Sequence, residues 1–202
     1  MSKQQMQKNK LLVLKDYFEK YTDETHGVGT SDIIEYLAGC GIPCERKSLY
    51  SDIEALGAYG MDIIMQRDGR QTKYYLASRM FETAELKTLV DIIDASRFIT
   101  AKKSKALIDK ISSLCSVHDA KKLSHRLSLT GRVKTVNEII YLNVDKLHTA
   151  FSEERSVSFK YFKYNWNKEK IYRHDGKIYN VIPISLVWNN DNYYLIAYDE
   201  SS

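Results

Sequence analysis

The chain has 202 residues, of which 44% are hydrophobic and 28% charged, and its formal net charge is +4. This size and composition suit one large or two small globular domains. The apolar runs are too short for a transmembrane helix, and the N-terminal MSKQQMQKNK lacks the apolar stretch of a secretory signal. We therefore expect a cytoplasmic protein without membrane association, whose cysteines (Cys40, Cys44 and Cys115) are reduced and structural.

The positive charge is unevenly distributed along the chain. Residues 1–78 hold 10 Lys/Arg and 11 Asp/Glu, whereas residues 79–202 hold 20 and 15. The N-terminal part is thus not basic as a whole, which argues against a DNA binder that relies only on phosphate neutralisation. Any DNA contact there would need a locally basic face.

Three amphipathic helices are predicted in the first 60 residues, at 8–21, 30–39 and 45–57. Apolar residues recur at three- and four-residue spacing in each of them. Thr30 and Ser31 are expected to cap the second helix, and the glycines at 39 and 41 to end it. Pro43 separates the second helix from the third, since proline does not continue a helix.

A β-hairpin is predicted directly after the third helix. The strands 62–67 and 72–76 flank the tip Asp68–Gly69–Arg70, and Asp-Gly is a strong hairpin-turn signal. Ile63, Met65, Tyr74 and Leu76 are expected to face the core. Helix, turn, helix and hairpin in this order predict a winged helix-turn-helix, which places one helix in a DNA groove.

Polar and basic side chains mark the candidate DNA-binding surface at the start of the third helix and on the hairpin. They are Arg46, Lys47, Ser48, Tyr50 and Ser51 on the helix, and Arg67, Arg70 and Lys73 on the hairpin. Such groups contact base edges and phosphates. The alternative is an ordinary solvated helix face and a polar hairpin tip. Asp52 would repel phosphate, so we assign it to pairing within the domain.

The segment Lys47–Gly60, KSLYSDIEALGAYG, resembles the recognition-helix region of bacterial winged-helix regulators that carry a C-terminal WYL domain. In that family the segment often reads Thr-Val-x-Arg-Asp-Ile-x-x-Leu. Ser51 stands here where an arginine is frequent, so one phosphate or base contact of the family is missing. The resemblance implies that double-stranded DNA is the partner.

Three further helices are predicted at 80–96, 102–114 and 118–127, without catalytic or metal-ligand spacing. Their apolar faces have two interpretations. They either pack on the neighbouring domains or form a dimer surface. Because operators with two-fold symmetry favour dimeric DNA-binding proteins, our working hypothesis is a homodimer.

The C-terminal part is predicted to begin with a helix at 134–155. Strands follow at 156–164, at 177–188 with an interruption at Pro183, and at 193–198, with a turn at 189–192. Several short antiparallel strands with polar turns indicate a small barrel. The chain is thus predicted to be α+β. It comprises a winged helix-turn-helix (1–78), a helical linker or dimerisation segment (79–133) and a sensor domain (134–202).

The stretch Val181–Glu200, VIPISLVWNNDNYYLIAYDE, resembles the signature region of the WYL domain. Tyr193–Tyr194–Leu195 stands where the family has Trp-Tyr-Leu. The resemblance implies an SH3- or Sm-like barrel that senses a nucleotide or single-stranded nucleic acid. The family domain continues well beyond this length, so the barrel is expected to be incomplete.

Aromatic and basic residues suited to such a ligand are Tyr161, Lys163, Arg173, His174, Trp188 and Tyr193. Aromatic rings stack on bases and cations meet phosphates. The alternative, strongest for Trp188 and Tyr194, is barrel core.

The chain has no Gly-rich phosphate loop, Cys/His metal box or hydrolase nucleophile motif. The sequence therefore predicts a ligand-responsive transcriptional regulator, not an enzyme, without cofactor or metal. A protein-interaction module that uses the winged helix without sequence-specific DNA binding is the alternative.

Overall fold

A computed structural model of the protein describes residues 3–69, 71–124, 134–135, 139–167 and 169–199. The chain divides into two compact units, the first comprising Met1–Ala95 and Lys102–Gly131, the second Ser96–Ala101 and Arg132–Ser202. The short segment Ser96–Ala101 thus belongs to the C-terminal unit, although helices of the first unit flank it in sequence. Within the described ranges, no helix has the length and apolar character needed to cross a membrane.

The first unit opens with three helices and a small antiparallel sheet. Its elements are α1 (Lys3–Tyr21), β1 (Val28–Gly29), α2 (Thr30–Gly39), α3 (Arg46–Ala58), β2 (Ile63–Asp68) and β3 (Gln71–Leu76). The strands lie in the order β1-β3-β2, and β2 pairs with β3 from Ile63 opposite Leu76 to Asp68 opposite Gln71. The predicted helices and the hairpin occur, with α1 beginning five residues earlier than expected, whereas the short strand β1 was not predicted.

The start of α2 differs from the expected Thr30–Ser31 cap. Gly29 is the N-cap residue, and its N–H donates to the Asp32 carboxylate at 2.8 Å. A carboxylate in the first helical turn satisfies an otherwise unpaired N–H and also favours the helix dipole. At the other end, Gly41 has a φ of 76°, which allows the sharp turn towards α3.

Apolar side chains from all three helices and from β3 form the core of this part. The buried members are Leu14, Tyr17, Phe18, Ile33, Leu37, Leu49, Leu56, Tyr74 and Leu76. Met65 was expected among them, but it is 61% exposed. It pairs with Tyr74 across the hairpin but lies two residues nearer the hairpin tip than Ile63, which does pack against the core.

Three more helices complete the first unit: α4 (Thr83–Ala95), α5 (Ala101–Ser112) and α6 (Val117–Ser124). Leu86, Cys115 and Leu123 form a second small buried cluster. Helix α6 also contacts the loop after α1, because the Ser116 hydroxyl donates to Asp23 at 2.6 Å and the His26 and His118 rings stack at 3.6 Å. Of the two roles expected for these helices, packing on neighbouring elements and forming a dimer surface, α6 thus shows packing against the loop after α1.

Among its described residues, the second unit contains one α-helix, a 3-10 turn at Arg173–Gly176 and two separate antiparallel sheets. Its elements are α7 (Ile139–Ser152), β4 (Val157–Lys160), β5 (Phe162–Tyr164), β6 (Lys170–Tyr172), β7 (Ile178–Asn189) and β8 (Asn192–Asp199). The sheets have the orders β4-β7-β8 and β5-β6. Over the residues that the structure describes, neither sheet closes into the predicted barrel.

Two local predictions for this unit need correction. The helix expected from residue 134 does not include Lys134 or Thr135, whose contacts are instead with the segment at 96–97. Strand β7 is not interrupted at Pro183 but continues through it with a bulge between Pro183 and Ser185. A bulge accommodates a residue that cannot donate to the strand ladder.

Phe98 anchors an aromatic cluster at one end of the β7–β8 hairpin. Its ring lies 5.2 Å from that of Tyr141, 5.1 Å from Trp188 and 5.0 Å from Tyr193. The last two contacts are edge-to-face, a favourable geometry for aromatic pairs. The segment Ser96–Ala101 is thereby held against the C-terminal sheet.

We expect Phe98→Ala to lower the free energy of unfolding of the second unit by about 1–2 kcal/mol. This is less than for a fully buried phenylalanine, because the ring is only half-buried. Trp188 fluorescence during urea unfolding, in a Trp166→Phe background, measures the effect. Phe81→Ala, which removes a half-buried ring from the first unit, is the matched control. An unchanged Trp188 transition in the Phe98 variant would contradict the assignment.

Candidate nucleic-acid interface

The outward face of α3 carries most of the predicted DNA-binding residues. Arg46, Lys47, Tyr50 and Ser51 are all exposed, whereas Leu49 and Leu56 on the inner side are buried. Arg46 Nε donates to the Tyr50 hydroxyl at 2.9 Å, one helical turn away. This hydrogen bond orders both side chains on the surface, where donors can meet phosphates or base edges.

Ser48 lies on a different side of the helix from these residues. It is half-buried, and its hydroxyl accepts a hydrogen bond from Lys10 Nζ at 2.7 Å. Lys10 also forms an ion pair with Asp52 at 2.5 Å, which confirms the expectation that Asp52 pairs within the domain. Ser48 therefore contributes to the attachment of α3 to α1.

The hairpin does not bring its predicted cations together on one face. Arg67 pairs with Thr72 and Lys73 pairs with Gln66, so Arg67 and Lys73 are on opposite faces of the two-stranded ribbon. Arg67 is exposed and Lys73 half-buried. Arg70 lies outside the described residues. Of the predicted hairpin set, Arg67 is the residue best placed for a backbone contact.

Acidic residues border the basic face of α3. Glu45 is the exposed N-cap residue and Glu54 is exposed on the third turn. These carboxylates limit how many phosphates can approach. The arrangement suits a few directed contacts to a duplex better than broad electrostatic binding.

In the second unit, three residues of the predicted ligand set lie on or directly beside the β5–β6 hairpin. Tyr161 opposes Arg173, whose N–H donates to the Tyr161 carbonyl at 2.8 Å, and the guanidinium carbon lies 5.3 Å from the Tyr161 ring centre. Lys163 is two residues from Tyr161, on β5, where it pairs with Ile171 of β6. All three side chains are exposed.

Further cation–aromatic pairs surround these three residues and were missed from the sequence. Lys170 Nζ lies 4.6 Å from the Phe162 ring, Lys160 Nζ 5.9 Å from Tyr172, and Lys177 Nζ 5.5 Å from Tyr179. Trp166, between β5 and β6, is fully exposed. We call residues 160–179 the aromatic–basic segment. The alternation in FKYFKY (159–164) was the sequence signal that could have revealed it.

Trp188 and Tyr193 are far from the aromatic–basic segment. They oppose each other at the other end of the β7–β8 hairpin, with ring centres 4.7 Å apart, and both contact Phe98. Tyr179 and Trp188 are nine residues apart on one strand, a separation of about 30 Å. The contacts of Trp188 and Tyr193 thus favour a packing role over a shared ligand site.

His174 belongs to the turn between β6 and β7. Its φ of 47° is left-handed, and its ring lies 6.4 Å from that of Tyr179 in an edge-to-face arrangement. His174 is thus part of the aromatic–basic segment and lies beside its Tyr179 ring, although its backbone conformation is one that L-residues seldom adopt.

Residues 143–202 match the family model of the WYL domain. The matched range includes α7 from Asn143, both sheets and the aromatic–basic segment. Comparison with curated proteins finds no match to the chain.

Proposed function

We propose that the protein is a transcriptional regulator that reads duplex DNA through α3 and senses a ligand through its C-terminal unit. One observation carries the proposal: α3 exposes Arg46, Lys47, Tyr50 and Ser51 on one face while its opposite face is attached to α1. A helix attached in this way can enter the major groove so that the residues of its first turn contact base edges. In this proposal the protein has no catalytic step and needs no cofactor.

The order of elements in the first unit supports this interpretation. Helices α2 and α3 are joined by a short turn, and the β2–β3 hairpin follows α3 directly. The β1-β3-β2 sheet fixes that hairpin at the edge of the helical core. In a winged helix-turn-helix such a hairpin contacts the DNA backbone beside the recognition helix, and Arg67 would make this contact.

The match to the WYL domain supports the sensing part, because this domain is found in ligand-sensing transcriptional regulators. We infer that the ligand is a nucleotide or a short single strand. Residues 157–180 contain six Lys/Arg against two Asp/Glu, together with seven aromatic residues. Exposed rings offer stacking surfaces for bases, and the adjacent cations can neutralise phosphates.

Selection of bound fragments from a genomic duplex library tests the regulator proposal. An enriched sequence should bind more tightly than random duplex, with a log–log salt slope of only about −2 to −3, because few cations are available to contact phosphates. Absence of duplex binding even at low salt would reject the proposal. Sedimentation at micromolar concentration tests the homodimer, and a monomer that binds palindrome and half-site equally would exclude it.

We expect Tyr161→Ala or Arg173→Ala to weaken binding of a short single-stranded oligonucleotide by about 1–2 kcal/mol. Each substitution removes one half of the Tyr161–Arg173 cation–aromatic pair, which would face a base or phosphate. Fluorescence anisotropy with a labelled oligothymidylate measures the affinity. Tyr198→Ala is the control, since Tyr198 is similarly exposed but lies on β8. Equal affinity of wild type and both variants would remove this surface from the proposal.

A second candidate function is a protein-interaction module. The near-neutral charge of residues 1–78 favours it, and single apolar side chains such as Leu12, Tyr59 and Met65 are exposed at 62%, 77% and 61%. Exposed apolar side chains are typical of protein interfaces when they cluster. The duplex selection described above distinguishes the two candidates, since an interaction module would enrich no sequence.

A further inference from the structure

Lys10 of α1 is almost completely buried, with 1% of its surface exposed. Lysine is rarely buried to this extent unless its charge is paired. The ammonium group therefore needs acceptors inside the protein. The structure shows which element supplies them.

All three groups near the ammonium belong to α3 or to the residues directly before it. Lys10 Nζ lies 2.5 Å from Asp52 Oδ2, 2.7 Å from Ser48 Oγ and 4.0 Å from Cys44 Sγ. Ser48 and Asp52 are four residues apart and thus one turn apart on α3, whereas Cys44 lies two residues before the helix begins. The ammonium donates hydrogen bonds to Ser48 and, at longer range, to Cys44, and it forms an ion pair with Asp52.

The candidate DNA-binding residues lie on the opposite side of the same helix. Arg46 and Tyr50 are each two positions from Ser48, which corresponds to a rotation of about 200° around the axis. Lys10 thus contacts one side of α3, and Arg46 and Tyr50 are on the opposite side. Fixing one side fixes the direction of the other.

The apolar contacts of α3 do not fix its rotation equally well. Leu49 and Leu56 are buried in the core, but hydrophobic contact is non-directional and tolerates small rotations. A rotation by one residue would move Asp52 and Ser48 away from a charge that water cannot reach. The penalty for a buried unpaired charge makes this ion pair directional.

We propose that Lys10 is a positioning residue that sets the rotation of α3 and thereby which side chains face the duplex. The consequence for DNA recognition rests on the proposed function, whereas the rotation of α3 can be measured without DNA. Lys10 itself does not touch DNA, because it is buried against α3.

The test uses the full chain with Lys10→Met/Asp52→Leu, which replaces both buried charges by apolar side chains. Such replacements often preserve folding. Backbone residual dipolar couplings report the orientation of α3 relative to α1. We expect changed couplings confined to α3 and an approximately tenfold fall in the ratio of specific to random duplex affinity. The control is Lys15→Met/Glu19→Leu, which removes a solvent-accessible ion pair of 2.7 Å within α1.

Asp52→Asn, which keeps the shape but removes the charge, is a second variant in case the double variant does not fold. It should lower the affinity ratio approximately threefold and increase hydrogen exchange in α3. Unchanged couplings, exchange and affinity ratio in every folded variant would overturn the proposal. If wild type itself prefers no duplex sequence, the proposed function fails, and the couplings and exchange alone decide the role of Lys10.

Discussion

Arg46→Ala and Lys47→Ala are each expected to weaken binding to the selected duplex by about 1–3 kcal/mol, the value of a good base-edge contact. Both residues are exposed at the start of α3, the part of a recognition helix that approaches the bases. An electrophoretic shift titration with wild-type and variant protein measures the loss.

The two variants should differ in sequence preference and in salt dependence if one cation contacts a base and the other a phosphate. Loss of a base contact relaxes sequence preference at one position, whereas loss of a phosphate contact weakens all duplexes equally and reduces the salt slope by about 1. Arg46 shares a hydrogen bond with Tyr50, so its orientation is restricted and it is the better candidate for the base contact.

Lys102→Ala is the control for a general charge effect, because Lys102 is an exposed lysine on α5 of the same unit. It should bind the duplex as wild type does. Wild-type affinity in both the Arg46 and the Lys47 variants would remove α3 from the DNA-binding surface.

Local sequence signals were sufficient to predict the helices and the hairpin of the first unit. Apolar spacing placed α2 at the residues where it occurs, and Asp-Gly located the tip of the β2–β3 hairpin. At the β7–β8 turn, Asn190 and Asp191 both adopt positive φ, which these residue types tolerate better than most. Such signals involve neighbouring residues, and they can therefore be read from the sequence.

Contacts between single residues that are far apart in sequence gave no comparable signal in the sequence. Ser116 and Asp23 are 93 positions apart, and neither belongs to a periodic pattern. Arg79 likewise donates to the backbone carbonyls of Glu19 and Thr22 at the end of α1. A single polar residue is compatible with many partners, so its contact depends on the tertiary arrangement.

The candidate ligand site was only partly predictable for a related reason. Alternation identified β7 and β8 as strands, but residue type alone did not show that Trp188 lies at the opposite end of β7 from Tyr179. Tyr161 and Arg173, by contrast, come together because the short β5–β6 hairpin lies between them. Closeness in sequence thus predicted which candidate ligand residues lie together better than residue type did.

Ser116→Ala is expected to lower the free energy of unfolding of the first unit by about 1.5–3 kcal/mol at pH 7, the range for a hydrogen bond to a charged group. The Ser116 hydroxyl is fully buried and donates to Asp23, which also accepts hydrogen bonds from Thr25. His26 Nδ1 lies 2.7 Å from the same carboxylate. Guanidinium unfolding followed by far-ultraviolet circular dichroism measures the loss.

The same carboxylate should make stability depend on pH. Burial opposes ionisation of Asp23, but hydrogen bonds from Ser116, His26 and Thr25 outweigh it and hold the pKa well below its ordinary value of 3.8. Because the folded-state pKa is the lower one, the stabilisation is complete above the unfolded value and is lost as pH falls below about 4.

Asp23→Asn should therefore be less stable than wild type at pH 7, and the difference should shrink as the solution is acidified below about pH 4. The matched control is Asp91→Asn, which removes an exposed carboxylate paired with Lys87 and should change stability little. A difference between wild type and Asp23→Asn that stays constant from pH 7 to pH 2.5 would show that Asp23 does not stabilise the contact between α6 and the loop after α1 through its charge.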